Sequence, residues 1–145
     1  MLYVAYGSNM NLEQMVYRCP TAKKVGVSVL KGYELTFRGR NGNCHATIDA
    51  CAGGEVPVVI WEIDAYSERA LDLYEGYPNY YRKEYVKVDG KECMVYVMNP
   101  NKKGYPSSRY LDCIAKGYED NGIDLAPLDE AVQKIIKEVG LCGAI

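Results

Sequence analysis

Short apolar runs and helical stripes take turns along this chain. Leu2-Tyr3-Val4-Ala5-Tyr6 reads as a buried strand that stops at Gly7-Ser8-Asn9. Leu12, Met15, Val16 and Cys19 then fall on one face of a helix that Asn9 or Asn11 caps and Pro20 closes. Val25 to Phe37 alternates around Lys31-Gly32, which predicts one or two strands. Residues 38–43, Arg-Gly-Arg-Asn-Gly-Asn, have the composition of a loop. Ala46-Thr47-Ile48 predicts a short strand, Cys51-Ala52-Gly53-Gly54 a turn, and Pro57 to Ile63 the clearest buried strand.

A helix follows from about Ser67 to Glu75, with Ala70, Leu71 and Tyr74 on its apolar side and Glu68, Arg69 and Asp72 on its outer face. Gly76 stands where a helix C-terminal glycine belongs, and Pro78 bars continuation. Tyr80 to Val88 and Cys93 to Met98 flank Asp89-Gly90, a strong hairpin signal. Residues 99–104, rich in Asn, Pro, Lys and Gly, read as a mobile loop. Two amphipathic helices complete the chain, one on Tyr110, Leu111, Ile114, Ala115 and Tyr118, the other on Leu128, Val132, Ile135, Ile136 and Val139 before Gly140. Mixed elements with an antiparallel hairpin give an α+β class built on one sheet or barrel.

Composition narrows the function classes. At 145 residues the chain fits one domain, and its 48% hydrophobic content supports a real core. A net charge of −2 provides no basic footprint for nucleic acid or an anionic membrane. No apolar stretch is long enough to span a bilayer, and Met1-Leu2-Tyr3-Val4 lacks a basic leader, so the expected location is cytoplasmic. The six cysteines (Cys19, Cys44, Cys51, Cys93, Cys113 and Cys142) contain no C-x-x-C pair and read as reduced, mostly buried residues. Cys44-His45 with Cys51 lacks the spacing of a zinc site. His45 is the only histidine, and nothing near it specifies a nucleophilic triad.

Two stretches carry candidate chemistry. Tyr6-Gly7-Ser8-Asn9 is a strand-to-helix turn whose free amides suit a carboxylate or an oxyanion, although a plain turn with a polar cap has the same letters. It is neither a G-x-G-x-x-G nor a P-loop, so nucleotides are not indicated. Glu75 lies one turn after Leu71 on the inward face of its helix, where desolvation would raise its pKa and suit it to move protons. The competing reading is a solvated Glu at a frayed helix end. Fourteen tyrosines against one Phe and one Trp supply hydroxyls for a polar pocket. A cradle, a carboxylate and tyrosines without a metal fit acyl transfer in which the substrate brings its own nucleophile.

Three landmarks in register, Tyr3 to Asn9, Leu71 to Gly76 around Glu75, and Pro106-Ser107-Ser108-Arg109-Tyr110, resemble the γ-glutamylcyclotransferase-like (AIG2-like) family. The likeness runs from residue 3 to about residue 125, with Ala46-Thr47-Ile48 and Pro57 to Trp61 where family members carry similar strands. It implies a small mixed β-barrel or curled sheet with flanking helices. It also implies conversion of γ-glutamyl compounds to 5-oxoproline with release of an amine. By that resemblance Glu75 is the acid/base, the Tyr3-Val4-Ala5-Tyr6-Gly7-Ser8-Asn9 segment holds the γ-glutamyl group, and Tyr110 contacts substrate. Tyr6, Tyr77 and Tyr80 are further candidates to shape the pocket. No metal or organic cofactor is implied. Asn9 departs from glutathione-specific relatives, which leaves the leaving amine open. A non-catalytic small-molecule binding domain of the same fold is the alternative.

Overall fold

The structure is a computed structural model and describes residues 1–140, so Cys142 lies outside the described residues. Five strands form one curled sheet in the order β2-β3-β1-β5-β4. They are β1 (Leu2–Ala5), β2 (Lys23–Arg40), β3 (Asn43–Glu62), β4 (Tyr81–Val88) and β5 (Lys91–Met98). Four helices flank them: α1 (Leu12–Arg18), α2 (Ala65–Glu75), α3 (Ser108–Asp120) and α4 (Ala126–Val139). The short β1 sits in the middle, antiparallel to β3 and parallel to β5. Being covered on both edges, it can be apolar throughout, and Val4 and Ala5 are almost fully buried. Curling brings β2 towards β4, so the α+β expectation of a barrel-like sheet holds.

The region read as several short strands and loops is instead one long hairpin. β2 and β3 pair from Lys23 opposite Glu62 to Arg40 opposite Asn43, with register shifts between Lys24 and Gly26 and between Lys31 and Tyr33. Only Asn41 and Gly42 turn the chain, so residues 38–43 are mostly strand. Cys51 to Gly54 is also strand, not a turn. Here the ladder shifts register, with Gly32 of β2 set against residues 51–54 of β3, and any Cβ on Gly54 would run into the Tyr33 carbonyl. Glycines that look like punctuation therefore serve a bend inside a ladder. The Asp89-Gly90 hairpin forms as its letters predict, with φ of 52° and 76°.

Residues 99–104 are held rather than loose. Gly39 N–H donates to the Lys102 carbonyl at 2.8 Å, Gly104 N–H to the Phe37 carbonyl at 3.2 Å, and Arg38 bridges Lys103. The segment thus continues the β2 edge and protects it.

Capping sets the helix starts. Asn11 accepts from Gln14 N–H and opens α1; Asp64 accepts from Ser67 N–H and opens α2, two residues before the predicted start; Ser107 accepts from Tyr110 N–H and opens α3. Within α1, Met15 is buried but Val16 is 67% exposed, because the helix is too short to bury a wide stripe. Cys19, Cys44 and Cys93 are buried, whereas Cys51 and Cys113 are partly exposed. No helix among the described residues is long and apolar enough to cross a membrane.

Candidate active site

One cavity of about 140 Å³ gathers the residues singled out in the sequence: Tyr3, Val4, Tyr6, Gly7, Ser8, Asn9, Glu75 and Tyr110 all line it. Ala5 does not. It is buried in the core of the central strand instead. Tyr80 lines the cavity, but Tyr77 is left outside on the surface, its ring under the Lys83 ammonium at 4.3 Å.

The turn after β1 is a single 3₁₀ turn, Ser8–Met10. Met10 N–H donates to the Gly7 carbonyl and Asn11 N–H to the Ser8 carbonyl, both at 3.1 Å. The Ser8 and Asn9 amides precede the first donor of the turn and have no acceptor within it. A Cβ on Gly7 would reach Ala46 Cβ at 3.4 Å and the Tyr110 hydroxyl at 3.5 Å. That is ordinary contact, so glycine here preserves open space between the turn and Tyr110 rather than avoiding a clash.

Glu75 reaches the cavity because it is the last residue of α2. Gly76 follows in the left-handed conformation (φ 62°, ψ 37°), ends the helix, and leaves the Glu75 carboxylate facing inward. Its Oε1 accepts from Asn9 Nδ2 at 3.4 Å, so the carboxylate faces the turn directly. Burial pushes the Glu75 carboxyl up to about 7, with the Arg18 charge pulling back against that rise. Glu75 lines the cavity and meets Asn9 there, in contrast to a helix-end side chain turned to open solvent. On the outer face, Asp72 and Glu68 are not free charges. Both hold Lys83, and Asp72 also accepts from the Tyr96 hydroxyl at 2.6 Å.

The tyrosines divide by what their hydroxyls do. Tyr6 donates to the Tyr96 carbonyl and Tyr81 to the Ala46 carbonyl, each at 2.6 Å, so these two build walls. Tyr3 accepts from Asn9 Nδ2 at 2.9 Å. Tyr110 accepts from Ala46 N–H at 3.0 Å, which leaves its own O–H free to donate into the cavity. Burial raises the pKa of Tyr3, Tyr6, Tyr81 and Tyr110, so all four stay protonated.

Besides the wall residues Tyr81 and Tyr96, two participants are not singled out in the sequence. His45 lines the cavity, its Nδ1 2.9 Å from the Tyr80 hydroxyl and its ring edge-on to Tyr110 at 5.0 Å. Burial lowers its pKa, so it is a neutral wall residue near pH 7. Arg18 closes the back of the turn, contacting Ser8 and Asn9. No triad or metal spacing marks either residue; the excess of tyrosine was the only signal that a polar pocket would need such partners.

The model of the family described as gamma-glutamyl cyclotransferase, AIG2-like, matches residues 3–116. The chain belongs to that family. The gamma-glutamylcyclotransferase of Homo sapiens is 34% identical over 137 residues, covering 86% of this chain and 73% of the relative. That of Bos taurus is 33% identical over 140 residues with the same coverage. A solved structure named gamma-glutamyl cyclotransferase superposes with a TM-score of 0.80 at 29% identity, covering 95% of this chain and 98% of the other. The matched span of the γ-glutamyl cyclotransferase, AIG2-like family takes in the turn, Glu75 and Tyr110, and ends within α3.

Proposed function

We propose that the chain is a γ-glutamylcyclotransferase, converting a γ-glutamyl compound to 5-oxoproline and a free amine, with Glu75 as general acid/base. The observation that carries this reading is the Glu75 carboxylate, with a pKa raised to about 7, aimed at the Gly7–Asn9 turn across a tyrosine-lined cavity. Membership of the family and the names of its relatives support the same assignment.

The chemistry needs no outside nucleophile. Glu75 takes a proton from the substrate's α-ammonium, and the freed amine attacks its own γ-carbonyl to close a five-membered ring. The carbonyl oxygen gains the negative charge. The Ser8 and Asn9 amides and the Tyr110 O–H hold it, and such donors each contribute several kcal/mol in other enzymes. The C–N bond to the leaving amine then breaks as Glu75 returns the proton to that nitrogen, and the ring nitrogen gives up its second proton to the departing amine, which leaves as an ammonium. Because attack is intramolecular, the cavity acts mainly by holding the substrate folded, with the Tyr6 and Tyr81 walls fixed by their own hydrogen bonds.

A panel of γ-glutamyl amino acids and γ-glutamyl amines, assayed for 5-oxoproline, tests the reading. Product from at least one is expected, and binding without product from every one of them would instead make this a non-catalytic domain. Two further outcomes follow. A base must be deprotonated, so kcat/KM is expected to rise with pH through a limb near 7, the value burial gives Glu75. A limb near the ordinary glutamate value would contradict this. Tyr110→Phe keeps the ring against His45 but loses the donor, and kcat is expected to fall about a hundredfold with a smaller change in KM.

A further inference from the structure

Arg18 is the last residue of α1, remote in sequence from Glu75, and it does not line the cavity. Its Nη1 donates to Asn9 Oδ1 at 2.5 Å and to Ser8 Oγ at 3.4 Å, while its guanidinium carbon sits 3.5 Å over the Tyr74 ring. The Tyr74 hydroxyl lies 3.1 Å from the same Ser8 Oγ. The guanidinium is thus clamped between the turn and α2. We propose that Arg18 is a positioning residue for Glu75, fixing the Asn9 amide so that its N–H group, never its oxygen, faces the carboxylate.

Donor and acceptor inventory fixes the sense of the amide. A guanidinium only donates, so the Asn9 oxygen must face Arg18. Nδ2 must then point the other way, to the Tyr3 hydroxyl at 2.9 Å and Glu75 Oε1 at 3.4 Å. Without Arg18 the amide is free to flip and present its oxygen, which favours a protonated Glu75. The Asn9 carbonyl accepts from Trp61 Nε1 at 3.1 Å, so the backbone of the turn stays anchored while the side chain loses its fixed sense. Two effects of Arg18 therefore act together on the carboxylate: an oriented donor and a nearby positive charge.

The other groups facing Glu75 do not compete. From the sheet, Tyr3, Tyr6, Tyr81 and Tyr96 have raised pKa values and stay neutral. At the rim, Tyr80 and Tyr110 are raised likewise and His45 is lowered towards the neutral form, while Tyr74 directs its hydroxyl to Ser8. Asp72 is one step removed behind Tyr96 and engaged by Lys83. Arg18 is the one cation beside Glu75 among the described residues.

The test titrates Glu75 itself by carboxyl carbon NMR, its signal assigned by difference from Glu75→Gln. Wild type is compared with Arg18→Met, Arg18→Gln and Arg18→Lys, each checked for folding by thermal melting. Either neutral variant is expected to titrate Glu75 about one pH unit higher, a tenfold change in proton affinity, with Lys restoring part of the shift. A folded neutral variant that titrates Glu75 at the wild-type position would overturn the proposal. The kinetic arm rests on the cyclotransferase reading: the acid limb of kcat/KM moves up with the NMR value, so the defect shrinks at alkaline pH. A pH-independent loss of activity indicates a merely structural Arg18 and counts against the proposal. Should wild type form no 5-oxoproline, the cyclotransferase reading fails alone, and the NMR titration still decides the role of Arg18.

Discussion

Glu75→Gln is expected to abolish 5-oxoproline release and, at pH 8, to make the protein more stable. Gln keeps the shape and an oxygen for Asn9 Nδ2, but it cannot accept the α-ammonium proton, so kcat should fall about a thousandfold while substrate still binds. The stability gain follows from linkage. Glu75 titrates at about 7 when folded against an ordinary value of 4.5. Between those values the folded state binds more protons than the unfolded state, so stability falls as pH rises through the window. Well above pH 7 the wild type carries the whole penalty of a desolvated carboxylate, about 3 kcal/mol, which the amide avoids. Melting curves should therefore separate at pH 8 and converge near pH 4. A Gln variant equally active, or no more stable at pH 8, contradicts a desolvated catalytic carboxylate.

Gly117→Val is expected to destabilise the fold more than any change on the cavity wall, and to damage the site without touching substrate. Gly117 lies in α3 against the turn after β1. An added Cβ would meet Asn11 N at 2.8 Å and Met10 C at 2.9 Å, both backbone atoms that cannot rotate away. Valine gains little helix propensity over glycine to offset this, and overpacking of this kind costs about 3 kcal/mol. Relief requires α3 to move off the turn, which carries Tyr110 away from Gly7 and Ser8. Thermal melting should show a large drop, and kcat/KM measured well below the transition should fall as well. Wild-type stability would show that α3 does not seat directly on the turn.

Much of this architecture is legible in the letters, for identifiable reasons. The α2 end, the Asp89-Gly90 hairpin and the two C-terminal stripes depend on local rules, and each forms close to where those rules place it. The β2–β3 hairpin reads as fragments because Lys31-Gly32 and Gly53-Gly54 look like breaks in isolation. Across the ladder they sit together, where one register shift uses both. At the site, Glu75 and the turn were visible because helical phase and a strand end each point inward. Arg18 and His45 were not, since their roles come from contacts with Asn9 and Tyr80 that no sequence spacing encodes. Gly117 is likewise unremarkable inside an amphipathic stripe, since its role comes from the turn packed against it.

The most direct test of the central claim follows the atoms. A γ-glutamyl substrate labelled with ¹⁵N at its α-amine is incubated with the protein in ¹⁸O water, and the products are weighed by mass spectrometry. Intramolecular attack with Glu75 moving the proton predicts 5-oxoproline that carries ¹⁵N in its ring and no ¹⁸O, formed by wild type and absent with Glu75→Gln. Glutamate bearing ¹⁸O would mean that water is the nucleophile, and would contradict the account.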